Sequence, residues 1–193
     1  MRKSKKRRNP ELDYVADQVL DNISYKYLAE GAYGETYFFT LDKNKRIKDV
    51  LLFPGDYVLK IFLYPYDIDS FIDHSDKYIK HLKLLSNKGL IPKIYYIDRH
   101  MIIMDYIDGK TLENITLSDP IISKMWIMLN KWHSYGFYHG DIKEENIMIN
   151  KNGEIWFIDP FYVKGISPKE LLSNDIDAMV DIITGQNKSI RFA

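Results

Sequence analysis

One stretch, "YHGDIKEENIMINKNGEIWFIDPF" at residues 138–161, restricts what this chain can become more than any other. "NIMI" and "EIWFI" flank Asn150-Lys151-Asn152-Gly153, and the Asn-Gly pair tolerates the positive φ that a tight hairpin turn demands. The stretch therefore predicts a loop followed by a hairpin. Asp141, Lys143 and Asn146 fall on the loop, and Asp159 falls just past the second strand. Taken singly these residues are ordinary: His139 packs a loop, the aspartates form turns or caps, and Lys143 and Glu144 are solvated. Taken together they set two carboxylates, a carboxamide and an ammonium group at fixed separations around one hairpin.

Length and composition permit a folded core to hold them. The 193 residues are 46% hydrophobic and 28% charged, enough for one substantial core or two small lobes. With no cysteine there is no disulfide, thiolate nucleophile or Cys-based zinc site. No apolar run approaches a membrane span or the core of a secretory signal, so the expected setting is the cytoplasm, or the nucleus given the basic N-terminus. Arg2, Lys3, Lys5, Lys6, Arg7 and Arg8 crowd the start, leaving 21 basic against 27 acidic residues elsewhere, a net of −6. Residues 1–9 read as a solvated basic tail. Contact with nucleic acid is the weaker alternative, because few aromatic residues interleave to stack on bases.

Asn9 and Pro10 read as a helix cap and first-turn proline, with Leu12, Val15, Val19 and Ile23 on one apolar face. "SYKYLAEG", "ETYFFTL" and "YVLKIFLY" predict an antiparallel sheet, interrupted by the turn-like "DKNKR" and "FPGD". A helix is expected over 69–88, with Phe71, Ile72, Tyr78, Ile79, Leu82 and Leu85 as its buried stripe and Gly89 ending it. "KIYYID" and "HMIIMDYID" predict two more strands, and "IDGK" a connection. A helix follows over 119–135 with Ile122, Met125, Trp126, Leu129 and Trp132 inward. Near the C-terminus "PKELL" and "DIDAMVDIIT" read as short helical segments.

Phosphoryl transfer requires neutralised phosphate oxygens, hard oxygen ligands for magnesium, and a carboxylate beside the attacking hydroxyl. The 138–161 stretch supplies these types. "HGDIKEENIMI" followed by "IDPF" resembles the catalytic loop and metal-binding segment of protein kinases, His-Arg-Asp-x-Lys-x-x-x-Asn and then Asp-Phe-Gly. The five-residue step from Asp141 to Asn146 and the eighteen-residue step to Asp159 match that pattern. The resemblance implies Asp141 as base or orienting group, Lys143 as charge stabiliser, and Asn146 and Asp159 as metal ligands, with ATP and Mg2+ as cofactors. It also implies an α+β, two-lobed fold over residues 10–193. The first lobe, about 10–103, would carry an antiparallel β-sheet and one main helix; the second, about 107–193, would be helical and truncated.

Upstream, "EGAYGETYF" offers Gly31 and Gly34 as a nucleotide-covering turn, although Thr36 stands where the family has a third glycine. Lys60 in "YVLKIF" resembles the lysine that contacts the α- and β-phosphates. Met104 resembles the gatekeeper, with Asp105 and Tyr106 where backbone groups meet adenine. The family's helix glutamate is missing: His81 or Lys80 occupies its place, and Asp73 or Asp76 would have to substitute. Gly140 replaces the arginine that reads a phosphorylated loop, and Pro160 alters the Asp-Phe-Gly hinge. These departures imply neither loop phosphorylation nor a Phe flip as a control device. Asp175 resembles the aspartate that braces the catalytic loop from a central helix, and "SPKE" faintly echoes the end of an activation segment.

In brevity and in "HGD" the chain is most similar to minimal atypical kinases such as the small kinase of the KEOPS tRNA-modification complex, and more distantly to RIO kinases. The expected activity is that of a minimal serine/threonine protein kinase with a protein substrate or partner. The alternatives are a pseudokinase serving as a nucleotide-binding interaction module, and a small-molecule kinase related to aminoglycoside and choline kinases.

Overall fold

The computed structural model describes residues 9–31, 34–62, 76–161 and 167–190. The basic tail up to Arg8, Phe71, Ile72, Asp73 and the first part of the helix expected over 69–88 lie outside the described residues. The chain divides into two units, Met1–Asp67 with Lys93–Tyr106 and Ile68–Pro92 with Ile107–Ala193. Helix α2 (Asp76–Asn87) groups with the second unit.

In the first unit, α1 (Pro10–Val19) starts where Asn9 is expected to cap it. Its side-chain oxygen accepts the Glu11 N–H at 3.0 Å, satisfying one orphan donor of the first turn. Strands β1 (Tyr25–Gly31), β2 (Gly34–Leu41), β5 (Gly55–Phe62), β6 (Ile94–Ile97) and β7 (Met101–Asp105) form one sheet in the order β1-β2-β5-β7-β6. All its neighbours are antiparallel. Alternation sends Tyr37, Phe39, Tyr57, Leu59, Ile61 and Ile103 to one face, where they pack with Leu12, Ala16 and Leu20 of the α1 region. That face is the unit's core. The register pairs Thr36 with Lys60, Lys60 with Ile102, and Val58 with Met104, so these side chains share the opposite face. The polar "DKNKR" region, expected to be only a turn, also contributes a small hairpin of β3 (Lys45–Ile47) and β4 (Val50–Leu52), because Ile47 and Leu52 find burial.

In the second unit, α2 buries Leu82 and Leu85 and ends at Gly89, whose φ of 63° only glycine adopts at little cost. Helix α3 (Asp119–Ser134) buries Met125, Leu129 and Trp132, three of the five residues expected inward, while Ile122 and Trp126 are half-buried. The predicted hairpin is present as β9 (Ile147–Asn150) and β10 (Ile155–Phe157). The expected connection after "IDG" instead adds a third strand, β8 (Gly109–Thr111), beside β9. The two short C-terminal helical segments prove to be one helix, α4 (Pro168–Ile190). Ser173 and Asn174 between them are weak breakers, and Ser173 Oγ donates to Asp177 Oδ2 at 3.3 Å within the helix.

Candidate active site

The spacing of the opening stretch acquires a physical meaning in the second unit. After Lys143 the chain makes one tight turn, Glu144–Asn146, which carries Asn146 back over Asp141. Asn146 Nδ2 then donates to the Asp141 carbonyl at 2.9 Å and to Asp141 Oδ2 at 2.7 Å. Both donors of that orientation point at acceptors, which fixes the amide and turns its Oδ1, a hard oxygen, the other way. Lys143 Nζ lies 2.9 Å from the same Asp141 Oδ2. This contact raises the lysine pKa despite some burial, with smaller contributions from the charges of Glu145 and Asp159, so the ammonium stays charged. Three of the four residues singled out in the opening stretch are thus in direct contact.

Asp159 joins them through the backbone. The Ile158 N–H donates to the Asn146 carbonyl at 2.9 Å, so the end of the hairpin is tied to the end of the loop. Asp159 itself is exposed and left-handed, with φ 53°. On its other side the Phe161 N–H donates to the His139 carbonyl at 2.7 Å. His139 is fully buried, and its ring carries the loop's internal order. Nε2 lies 2.9 Å from the Ile158 carbonyl, which can only accept, so Nε2 holds the proton and Nδ1 is left to accept the Asp141 N–H at 3.3 Å. Burial pushes the imidazole pKa down against the pull of Asp175, and this keeps the ring neutral.

Asp175, on α4, braces the loop as its sequence position implies. Oδ2 accepts the His139 N–H at 2.8 Å and Oδ1 accepts the Gly140 N–H at 2.9 Å. A third contact was not legible in the sequence: His133 Nε2 lies 3.1 Å from Asp175 Oδ2. Burial alone would raise this carboxyl, but the hydrogen bonds from His133, His139 and Gly140 outweigh it and hold the pKa below the ordinary range. Tyr78 of α2 was also missed as a polar residue, being read only as part of an apolar stripe. Its hydroxyl donates to the Pro160 carbonyl at 3.2 Å, and burial together with the Asp159 charge raises the phenol pKa.

The first unit arranges the remaining candidates less closely. Gly34, Lys60 and Met104 are placed by register on the sheet face away from α1. The need for glycine at Gly34 is explained by the sheet itself, since a Cβ there would lie 2.0 Å from the Ile61 carbonyl oxygen. Gly31 pairs with Gly34 across the hairpin, and a Cβ on it would meet only ordinary contact. The Asp105 side chain lies on the α1 face, where Oδ1 accepts the Tyr95 hydroxyl at 2.8 Å, so only its backbone is available to a ligand on the Lys60 face. Its N–H donates to the Lys93 carbonyl at 3.0 Å, and the Tyr106 N–H to the Asp56 carbonyl at 3.1 Å. The Tyr106 ring packs edge-on against Phe38 at 4.7 Å.

Magnesium fits the oxygens of the second unit. Among the described residues no three acidic or histidine side chains converge as an all-protein metal cage. Magnesium needs none, because it is commonly held by one or two protein oxygens with water and substrate phosphates completing the octahedron. Asn146 Oδ1 and the exposed Asp159 carboxylate are donors of that kind. No described helix is long and apolar enough to cross a membrane.

Known proteins resemble this chain in sequence and in fold. In sequence, the chain is similar to the serine/threonine-protein kinase RIO2 of Dictyostelium discoideum, 36% identical over 87 residues, covering 43% of this chain and 17% of that one. It is also similar to a probable bifunctional tRNA threonylcarbamoyladenosine biosynthesis protein of Methanobrevibacter smithii, 32% identical over 99 residues, or 48% of this chain and 18% of that one. The matched stretches thus span under a fifth of these curated relatives. In structure, it resembles the Rio2 kinase of Chaetomium thermophilum, solved as an ADP/Mg2+-phosphoaspartate complex. The TM-score is 0.59 at 14% identity, covering 88% of this chain and 59% of that one, a likeness of α+β fold. The profile of the RIO domain matches residues 72–191, which take in α2, the 138–161 stretch and α4. That match covers well over half of the sequence, so the chain belongs to the RIO domain family, within the protein kinase-like superfamily.

Proposed function

We propose that the chain is an ATP- and Mg2+-dependent phosphotransferase, acting as a minimal serine/threonine protein kinase that moves the γ-phosphate of ATP to a protein hydroxyl. The observation that carries this reading is the geometry around Asp141. Lys143 and the Asn146 amide both engage Oδ2, and the side chain remains 40% exposed, which leaves Oδ1 to meet an acceptor hydroxyl. Asp141 then orients that hydroxyl and takes its proton, while Lys143 stands ready to offset charge on the moving phosphoryl group. Asn146 and Asp159 would hold magnesium, which when bound neutralises phosphate oxygens. Lys60 would contact the nucleotide phosphates, with Gly31 and Gly34 in the covering turn and Met104, Asp105 and Tyr106 at the adenine. The ADP and Mg2+ of the Rio2 complex support these cofactors by family.

The test is transfer of radiolabelled γ-phosphate from ATP to generic protein acceptors in the presence of Mg2+. Wild type should label an acceptor or itself, and Asp141→Ala should lose at least about 100-fold of the rate, the usual scale of a general base. Equal rates for the two proteins would remove the assignment. One observation favours a second reading, an interaction module that binds nucleotide without transferring phosphate: α2 supplies no glutamate, its acidic residue being Asp76 in the first turn. Nucleotide binding with no Asp141-dependent labelling would establish that reading, and a partner protein would then be its function.

A further inference from the structure

Asp159 sits in a conformation that a chain does not adopt freely. A left-handed backbone crowds the Cβ of any residue that has one, and the ring of the following Pro160 further restricts the residue before it. Such a conformation persists where the surroundings hold it, and it clusters at functional sites. Four hydrogen bonds fix the two flanks. Ile158 donates to the Asn146 carbonyl at 2.9 Å, His139 Nε2 lies 2.9 Å from the Ile158 carbonyl, and Phe161 donates to the His139 carbonyl at 2.7 Å. The fourth is the Tyr78 hydroxyl on the Pro160 carbonyl at 3.2 Å.

The first three bonds arise within the catalytic-type loop and its hairpin, but the fourth comes from another element. Tyr78 lies in the first turn of α2, the helix that in the resembling kinases ties itself to the site through a glutamate and here has none. One turn further on, His81, which with Lys80 is one of the two residues that align with that glutamate, packs edge-on against Phe137, 5.5 Å between ring centres, on the segment leading to His139. Burial pushes the His81 pKa down, so it makes this contact as a neutral ring. Thus α2 touches both the approach to the loop and the segment after Asp159, using uncharged groups.

We propose that Tyr78 is a positioning residue for Asp159: through the Pro160 carbonyl it holds the left-handed aspartate where a metal can meet it, and so couples α2 to the metal side of the site. The proposal rests on the phosphotransferase reading above. Tyr78→Phe keeps the ring and removes the hydroxyl that donates to the Pro160 carbonyl. Phosphate transfer as a function of Mg2+ concentration, Mn2+ binding in the presence of ADP followed by electron paramagnetic resonance, and thermal unfolding are measured for wild type, Tyr78→Phe and Asp159→Asn. The expected result is a half-saturating metal concentration about three- to tenfold higher for Tyr78→Phe, the scale of one lost hydrogen bond, with KM for ATP unchanged at saturating metal. A lower unfolding temperature with wild-type metal dependence would make Tyr78 merely structural and overturn the proposal, as would no change in any readout. If Asp159→Asn also behaves as wild type, the phosphotransferase reading itself fails and the role of Tyr78 falls with it.

Discussion

Gly140 stands at φ 75°, and a Cβ built on it would lie 2.6 Å from the Phe161 carbonyl oxygen, closer than real side chains come to backbone. The same glycine donates its N–H to Asp175. The sequence showed a departure from the family arginine at this position, but its reason lies with a residue twenty-one places further on, where sequence patterns carry no signal. Gly140→Ala should therefore pay for left-handed strain and also push the 159–161 segment away, costing about 1–3 kcal/mol of stability. Gly89 is the control: its φ is 63°, but a Cβ there would meet nothing within 4 Å. Gly89→Ala should cost only the left-handed strain, about 1 kcal/mol, and thermal unfolding of the two variants separates strain from collision. Phosphate transfer should fall in Gly140→Ala and not in Gly89→Ala.

Among the elements, α1 is held to the sheet by a buried carboxylate. Glu35, 1% exposed, accepts the Asn9 N–H at 2.8 Å and the Tyr37 hydroxyl, and that hydroxyl lies 3.2 Å from Asp13 Oδ1. Burial first, then the Glu35 and Asp13 carboxylates, raise the Tyr37 pKa, so it serves as a neutral donor. Glu35→Ala would leave the Asn9 N–H without its acceptor and the Tyr37 hydroxyl with Asp13 alone, and should destabilise the first unit by about 2 kcal/mol; Tyr37→Phe should cost less. Unfolding followed by circular dichroism checks the order, and equal losses would contradict it. The helix and strand positions in this unit were legible because Asn9-Pro10 and the alternating "ETYFFTL" are local signals. The docking of Glu35 was not, since a glutamate beside a glycine turn reads as solvated. In the second unit, the division of α4 into two segments failed for a related reason: Ser173 and Asn174 weaken a helix locally, but burial of Asp175 and Met179 on its inner face carries it through.

At the scale of the whole molecule, acid should be the stress it bears least. His139 and His81 have pKa values lowered by burial, so the unfolded chain binds their protons first. Their contribution is complete above the unfolded value of about 6.5 and is lost as pH falls through that value toward the folded ones. Asp175, also lowered, adds a second window: its contribution is present above the unfolded value of about 3.9 and is lost as pH falls through the folded one. Urea unfolding between pH 8 and pH 3 should show declining stability in both windows, and His139→Gln should flatten the upper one. A midpoint independent of pH from 8 to 5 would contradict this.

The kinase-like fold was legible because Asp141, Lys143, Asn146 and Asp159 stand at separations that resemble those of the protein kinase catalytic loop and metal-binding segment. What the spacing means, an amide turned back onto a carboxylate, required coordinates. The central claim is that these residues form a divalent-metal site used with a nucleotide. It is tested most directly by titrating Mn2+ into wild type, Asn146→Ala and Asp159→Asn in the presence of ADP and counting bound ion by electron paramagnetic resonance. Wild type should bind Mn2+ in a nucleotide-dependent manner, with affinity at least about tenfold weaker in each variant; equal binding by all three proteins would contradict the account.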